Sequence, residues 1–178
     1  MTAIVSLLRA VNVGGNRIIA MAELRALYES LGFGNVATYV QSGNVVFSAA
    51  RAERAGLTAK IETAIAGRFA FDVPVINRTA AELKAIVAKN PFPGEAAAEP
   101  GKVVVVFLPA PPSKEERAVL ERPIDGPERL KLVGVDLYVH YAVGIGRSKL
   151  KLPLKRPGTT RNWKTVTALA RMAGDLER

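Results

Sequence analysis

The sequence predicts an α+β protein built from two ferredoxin-like (split βαβ) subdomains, the second not necessarily complete. Three observations predict it. In the first half, apolar residues switch between strand-like runs and helical spacing in the order β-α-β-β-α-β. After a Pro- and Gly-rich break the order begins again as β-α-β-β-α, without a sequence repeat. The length, 178 residues with 49% hydrophobic and 23% charged, suits one domain or two small subdomains. A chain of this size buries roughly 70% of its unfolded surface and needs no metal or disulfide to hold it.

Residues 2–9 are apolar and β-branched and read as a strand. Residues 11–16 contain Gly14-Gly15 and read as a loop. Leu24, Leu27, Tyr28 and Leu31 recur at helical spacing up to a closing Gly32. Residues 36–41 and 44–47 read as a hairpin turned at Ser42-Gly43. Leu57, Ile61, Ile65 and Phe69 mark a second helix, and residues 73–77 a fourth strand. Thr79-Ala80-Ala81-Glu82 is a capping box opening a linking helix through Ala88. Residues 93–101 then read as a polar connection, so the subdomains divide as residues 1–92 and 93–178. Residues 102–108 form a strand stopped by Pro111-Pro112, and Ser113-Lys114-Glu115-Glu116 is a second capping box. Residues 129–133 and 137–141 form a hairpin turned at Gly134, and a final helix is expected from about Thr160 to Ala173.

No cysteine is present, which excludes disulfides, thiolate chemistry and iron–sulfur clusters. The single histidine, His140, cannot form a histidine-rich metal site within one chain, so neither a metal nor a cofactor is expected. The N-terminal run lacks a basic leader and a cleavage site, and no run approaches the ~20 apolar residues of a membrane span. A soluble cytoplasmic protein without membrane contact is therefore expected. The formal net charge is +9, and much of it is local: Arg147, Lys149, Lys151, Lys155, Arg156, Arg161 and Lys164 lie in one segment without an acid. Such a surface attracts nucleic acid or phosphate-bearing ligands; the plainer alternative is a solvated face.

Four loops are candidate sites. Arg9, Asn12, Gly14, Gly15 and Arg17 combine cations with glycines that let backbone amides approach a ligand, yet show no phosphate-loop fingerprint. Gln41, Ser42 and Asn44 sit at a turn; Ser42 as a nucleophile would need a base, and His140 lies in another strand. Arg147, Ser148 and Lys149 follow two glycines and could back an anion nest. Arg156, Thr160, Arg161, Asn162, Trp163 and Lys164 crowd the expected start of the last helix, where a bound anion would offset cations that oppose the helix dipole. No acid–base pair stands out, so whether the chain is an enzyme is left open.

Four segments are similar to a known family: Arg9-Ala10-Val11-Asn12-Val13-Gly14-Gly15, Thr38-Tyr39-Val40-Gln41-Ser42-Gly43-Asn44, Gly146-Arg147-Ser148-Lys149-Leu150 and Thr159-Thr160-Arg161-Asn162-Trp163-Lys164. Together they resemble the bacterial domain-of-unknown-function family 1697. The resemblance implies two ferredoxin-like subdomains and no stated activity. The residues lead us to expect binding of an anionic ligand, either nucleic acid or a phosphate-bearing molecule. The alternatives are an enzyme acting on a small phosphorylated or nucleotide substrate, and a homo-oligomeric interaction protein without ligand chemistry.

Overall fold

The computed structural model describes residues 1–50 and 54–178. By their internal contacts these form two compact units, Met1–Ala85 with Ala168–Arg178, and Ile86–Thr167. The division differs from the expected 92/93 boundary because the linking helix changes unit at Ile86 and the last helix at Ala168. No helix among the described residues is long and apolar enough to cross a membrane.

Unit 1 holds β1 (Thr2–Leu8), α1 (Met21–Ser30), β2 (Gly34–Thr38), β3 (Asn44–Ala49), α2 (Leu57–Phe69) and β4 (Val75–Thr79). The strands form an antiparallel sheet in the order β2-β3-β1-β4, the split-βαβ arrangement. Ile4 and Leu8 of β1 join Val45 and Phe47 of β3 in one core, closed by Leu24 and Tyr28 of α1 and by Leu57, Ile61 and Ile65 of α2. The i, i+4 spacing of those helical residues puts each set on one face. On the other face of β1, Ala3, Val5 and Leu7 are buried as well. The hairpin does not turn at Ser42-Gly43 alone: β2 ends at Thr38, and Tyr39 and Asn44 close a longer loop with Tyr39 N–H to Asn44 O at 3.1 Å.

Unit 2 begins within α3 (Ala80–Ala88), whose capping box is present, with Thr79 and Glu82 bonded reciprocally. Residues 93–101 are not simply a connection, because α4 (Pro93–Ala98) forms there with Ala96 buried. Then follow β5 (Val103–Phe107), α5 (Lys114–Leu120) with its Ser113 capping box, β6 (Arg129–Val133), β7 (Asp136–His140), β8 (Thr159–Asn162) and α6 (Trp163–Asp175). The sheet order, β6-β7-β5-β8, repeats that of unit 1, with every neighbour antiparallel. Residues 159–162 are thus a strand and not the start of the last helix. Neither Thr159 nor Thr160 caps α6; Asn162 Oδ1 accepts the Thr165 N–H at 3.0 Å.

The expected incompleteness of the second subdomain has a specific form. Between β7 and β8, where unit 1 has α2, there is only a 3₁₀ turn (Ile145–Arg147) and an irregular segment. Leu150, Leu152 and Leu154 of that segment pack against the cluster of Val104, Val106, Leu137 and Val139. Alternate leucines therefore cover the sheet face that a helix would otherwise cover. Gly158 then brings the chain against β5: a Cβ there would lie 2.3 Å from the Phe107 carbonyl oxygen. Backbone cannot yield as a flexible side-chain tip can. Gly158→Ala should therefore cost about 3 kcal/mol and lower the thermal midpoint by roughly 6–12 °C. Gly146→Ala, whose added methyl meets no atom within 4 Å, should leave it unchanged in the same calorimetric scan.

Candidate functional site

Two of the four loops meet in unit 1, and the Asn12 carboxamide joins them. Its Nδ2 donates to Ile19 O at 2.9 Å and to Gln41 O at 2.8 Å, while its Oδ1 accepts the Ile19 N–H at 2.8 Å. Around it the first loop folds into a narrow tip. Asn12 N–H donates to Arg17 O, and Asn16 N–H to Val13 O, both at 3.2 Å. Gly14 and Gly15 are exposed at the end of the tip. Arg9 is half-buried, with its N–H on Pro74 O at 3.0 Å, and Arg17 is exposed. In the second loop Gln41 is exposed, Ser42 half-buried and Asn44 buried, and Asn44 Nδ2 donates to Tyr39 O and Ser42 Oγ, both at 2.9 Å. Gly43 has φ +74, and a Cβ there would lie 2.8 Å from Leu8 Cβ, so only glycine lets this loop lie against β1.

These loops are also conformationally costly. Ala10, Asn12, Arg17 and Val40 all have positive φ, between 49° and 56°. Asparagine tolerates the left-handed region, but a β-branched valine there is an outlier.

The other two loops belong to unit 2. Arg147, Lys149, Lys151, Lys155, Arg156 and Lys164 are exposed, and none of the six forms an ion pair with a described carboxylate. Because Leu150, Leu152 and Leu154 turn inward, the lysines between and beside them stand out from the sheet as a ridge. Two acids anchor it. Glu128, itself buried, accepts the Ser148 hydroxyl, and Ser148 Oγ in turn accepts the Leu150 N–H at 3.1 Å. Glu116 Oε1 accepts the Lys155 N–H at 2.8 Å. The backbone N–H groups of Ser113 and Lys155, and then the Lys155 charge, hold the Glu116 carboxyl below the usual carboxylate range.

Residues 159–164 behave differently from the sequence expectation. Arg161 is only 7% exposed, on the sheet face of Val105 and Tyr138, with its guanidinium donating to Thr159 Oγ1 at 2.8 Å and Thr160 O at 2.9 Å. Burial lowers its pKa to about 10, so it stays cationic at neutral pH while contributing little outward surface. Thr160 and Asn162 are exposed, Trp163 is half-buried at the first position of α6, and Lys164 follows it outward. Sequence reasoning overlooked the leucines of the ridge, although Lys149-Leu150-Lys151-Leu152 alternates with a period of two. It also passed over Val13, Ile18 and Val40, whose exposure carries no signal in sequence.

A cavity of about 270 Å³ lies at one end of the ridge, against Ser113, Glu116, Leu154, Lys155 and Arg156. It falls just below the usual range for small-molecule sites, roughly 300–1,000 Å³. A larger cavity of about 530 Å³, beside β6, is lined by none of the ridge cations. Lys155 and Arg156 thus line the smaller cavity, and Lys149 and Lys151 line neither. No group of three or more His, Asp or Glu side chains among the described residues is placed to hold a metal ion. His140 reaches Phe92 at a centroid distance of 6.2 Å, and its Nδ1 is buried without a hydrogen-bond partner. Burial, then the positive charge of Arg129, push its pKa down.

The fold defines an α+β protein with a duplicated split-βαβ sheet. A family model described as "Protein of unknown function (DUF1697)" matches residues 1–138, and the chain belongs to that family. Among solved structures it is similar to the conserved bacterial protein SP0830 from Streptococcus pneumoniae, with 25% identity and a TM-score of 0.78 over 97% of this chain and 98% of that one. No curated protein matches it.

Asn12→Ala removes three hydrogen bonds and leaves a Cβ residue at positive φ, so urea unfolding should show a loss of roughly 2–3 kcal/mol. Val40→Asn keeps the loop and relieves the valine, so it should gain about 0.5–1 kcal/mol in the same assay. His140 yields a pH prediction. Its folded pKa lies below its unfolded one, so the unfolded chain binds more protons and acid favours it. Stability should fall as pH drops below about 6.5, the unfolded value. His140→Gln should flatten that fall below about pH 6.5 in urea midpoints measured across pH.

Proposed function

We propose that this chain binds a phosphate-bearing polyanion, nucleic acid above all, along the cationic ridge of unit 2. One observation carries the reading. The alternate leucines fix the segment to the sheet, so the exposed cations Lys149, Lys151, Lys155 and Arg156 are held outward on a packed support. Long cations on such a support neutralise phosphates at a lower ordering cost than a free tail would. Arg147 and Lys164 extend the charge, and Ser148 braces the segment through Glu128. An open stripe suits a phosphate backbone better than a small enclosed substrate, and nothing here reads base edges, so binding is expected to be indifferent to sequence. The absence of cysteine fits a reducing cytoplasm as its setting.

Fluorescence anisotropy with labelled single- and double-stranded RNA and DNA, titrated across salt, tests this. Lys149→Ala/Lys151→Ala/Lys155→Ala/Arg156→Ala is the informative variant, because Arg161 is buried and its removal would disturb the sheet. The wild type should bind with a dissociation constant on the order of 10⁻⁴–10⁻⁶ M. The variant should flatten the logarithmic salt slope by about 3 and weaken binding at low salt at least roughly tenfold. Circular dichroism should show it folded. Absence of binding even at low salt would end the polyanion reading and turn the search to small phosphorylated metabolites.

A further inference from the structure

We propose that the loop tips around Asn12 in unit 1 form a docking face for an acidic protein segment that carries aliphatic side chains. The face is built from residues of unit 1 alone and does not rest on the polyanion reading. Three aliphatic side chains there are left uncovered: Val13 is 63% exposed, Ile18 62% and Val40 50%. All three issue from one node. Val13 follows Asn12, Ile18 precedes the Ile19 backbone held by Asn12, and Val40 precedes the Gln41 carbonyl held by the same side chain. Asn12, Arg17 and Val40 of this node all adopt the left-handed region, and the Asn12 side chain ties the two loops together. Strain of this kind persists where a fixed presentation is needed and is concentrated at binding sites.

The charge around the anchors selects the partner. Arg9 and Arg17 belong to the first of the two loops, and residues 1–22 and 30–50 contain no acidic residue. The next acid along the chain, Glu23, is paired with Arg68 at 2.7 Å, while Asp72 lies two residues before Pro74, whose carbonyl accepts the Arg9 N–H. A partner with aliphatic groups to cover the anchors and carboxylates to meet the arginines satisfies both features. A phosphate backbone would meet the arginines and leave the three aliphatics in water. A second copy of this chain, at net charge +9, would be repelled.

Selection of a random-peptide library on the immobilised full chain reads this out. Enriched peptides should combine Asp or Glu with Leu, Ile or Val. A synthetic enriched peptide should bind the Val13→Ser/Ile18→Ser/Val40→Asn variant at least about tenfold more weakly than the wild type. All three positions are exposed and Asn suits the backbone at position 40, so this variant should fold. Arg17→Glu should weaken the same peptide, and the four-site ridge variant should bind it unchanged, which keeps this proposal distinguishable from the polyanion reading. The proposal fails if no acidic, aliphatic peptides are enriched, or if the triple variant binds them as well as the wild type. It also fails if the triple variant loses binding to nucleic acid or to anionic phospholipid vesicles instead, because the face would then belong to that other partner.

Discussion

Both sheets are built around a strand that is apolar on both faces, and every other element answers to that constraint. In β1 all but the first residue is buried, and in β5 every residue is. Such a strand cannot sit at an edge or face water on one side. It must be paired on both sides, as β1 is by β3 and β4 and β5 is by β7 and β8. It must also be covered above and below. The two units meet the pairing demand with the same topology and the covering demand with different material.

That difference accounts for the charge pattern. In unit 1 the second cover is α2, whose Leu57, Ile61 and Ile65 line one face and leave the polar residues scattered around a helix. In unit 2 the cover is an extended run with a period of two, so every residue not turned to the sheet is turned to solvent. Three leucines inward force Lys149, Lys151 and Lys155 outward. The ridge is then a consequence of how the sheet is closed, and its sign is the part that closure leaves free: serine or threonine would solvate the outer side as well as lysine does. The choice of uniformly positive residues, with no acid inside the segment itself, is the feature on which the polyanion proposal rests.

The first sheet was legible because its strands and helices change period cleanly, and the capping boxes at Thr79 and Ser113 mark their helices in sequence and in structure alike. Element ends drifted by a residue or two, as for β4. The losses have physical causes. Thr159-Thr160-Arg161-Asn162 shows no apolar alternation and leads into a strongly amphipathic stretch, so local pattern joins it to the helix; pairing with β5 overrides that. α4 was passed over because Pro93-Gly94 reads as a break, although proline in the first turn is also a helix-starting signal. Arg161 could be placed in no correct environment from sequence, since a cation in a sheet is legible only once the strand is. Of the site, the loop residues could be named but not their connections: that Asn12 binds both Ile19 and Gln41 depends on a fold that brings positions 29 apart into contact.

The left-handed residues sharpen the distinction between what the fold needs and what it tolerates. Six non-glycine residues of the described chain have positive φ, and four of them, Ala10, Asn12, Arg17 and Val40, fall in the two loops that Asn12 ties together. A chain selected only to connect β1 to α1 and β2 to β3 would place glycine or asparagine at such positions, as it does at Gly14, Gly15 and Gly43. Glycine at the exposed Val40 would remove the strain and expose less apolar surface. Val40 lies beyond the end of β2, so the strand pairing does not depend on its side chain. Stability and solubility both argue against valine at that position, and the docking face proposed above supplies a reason for its side chain.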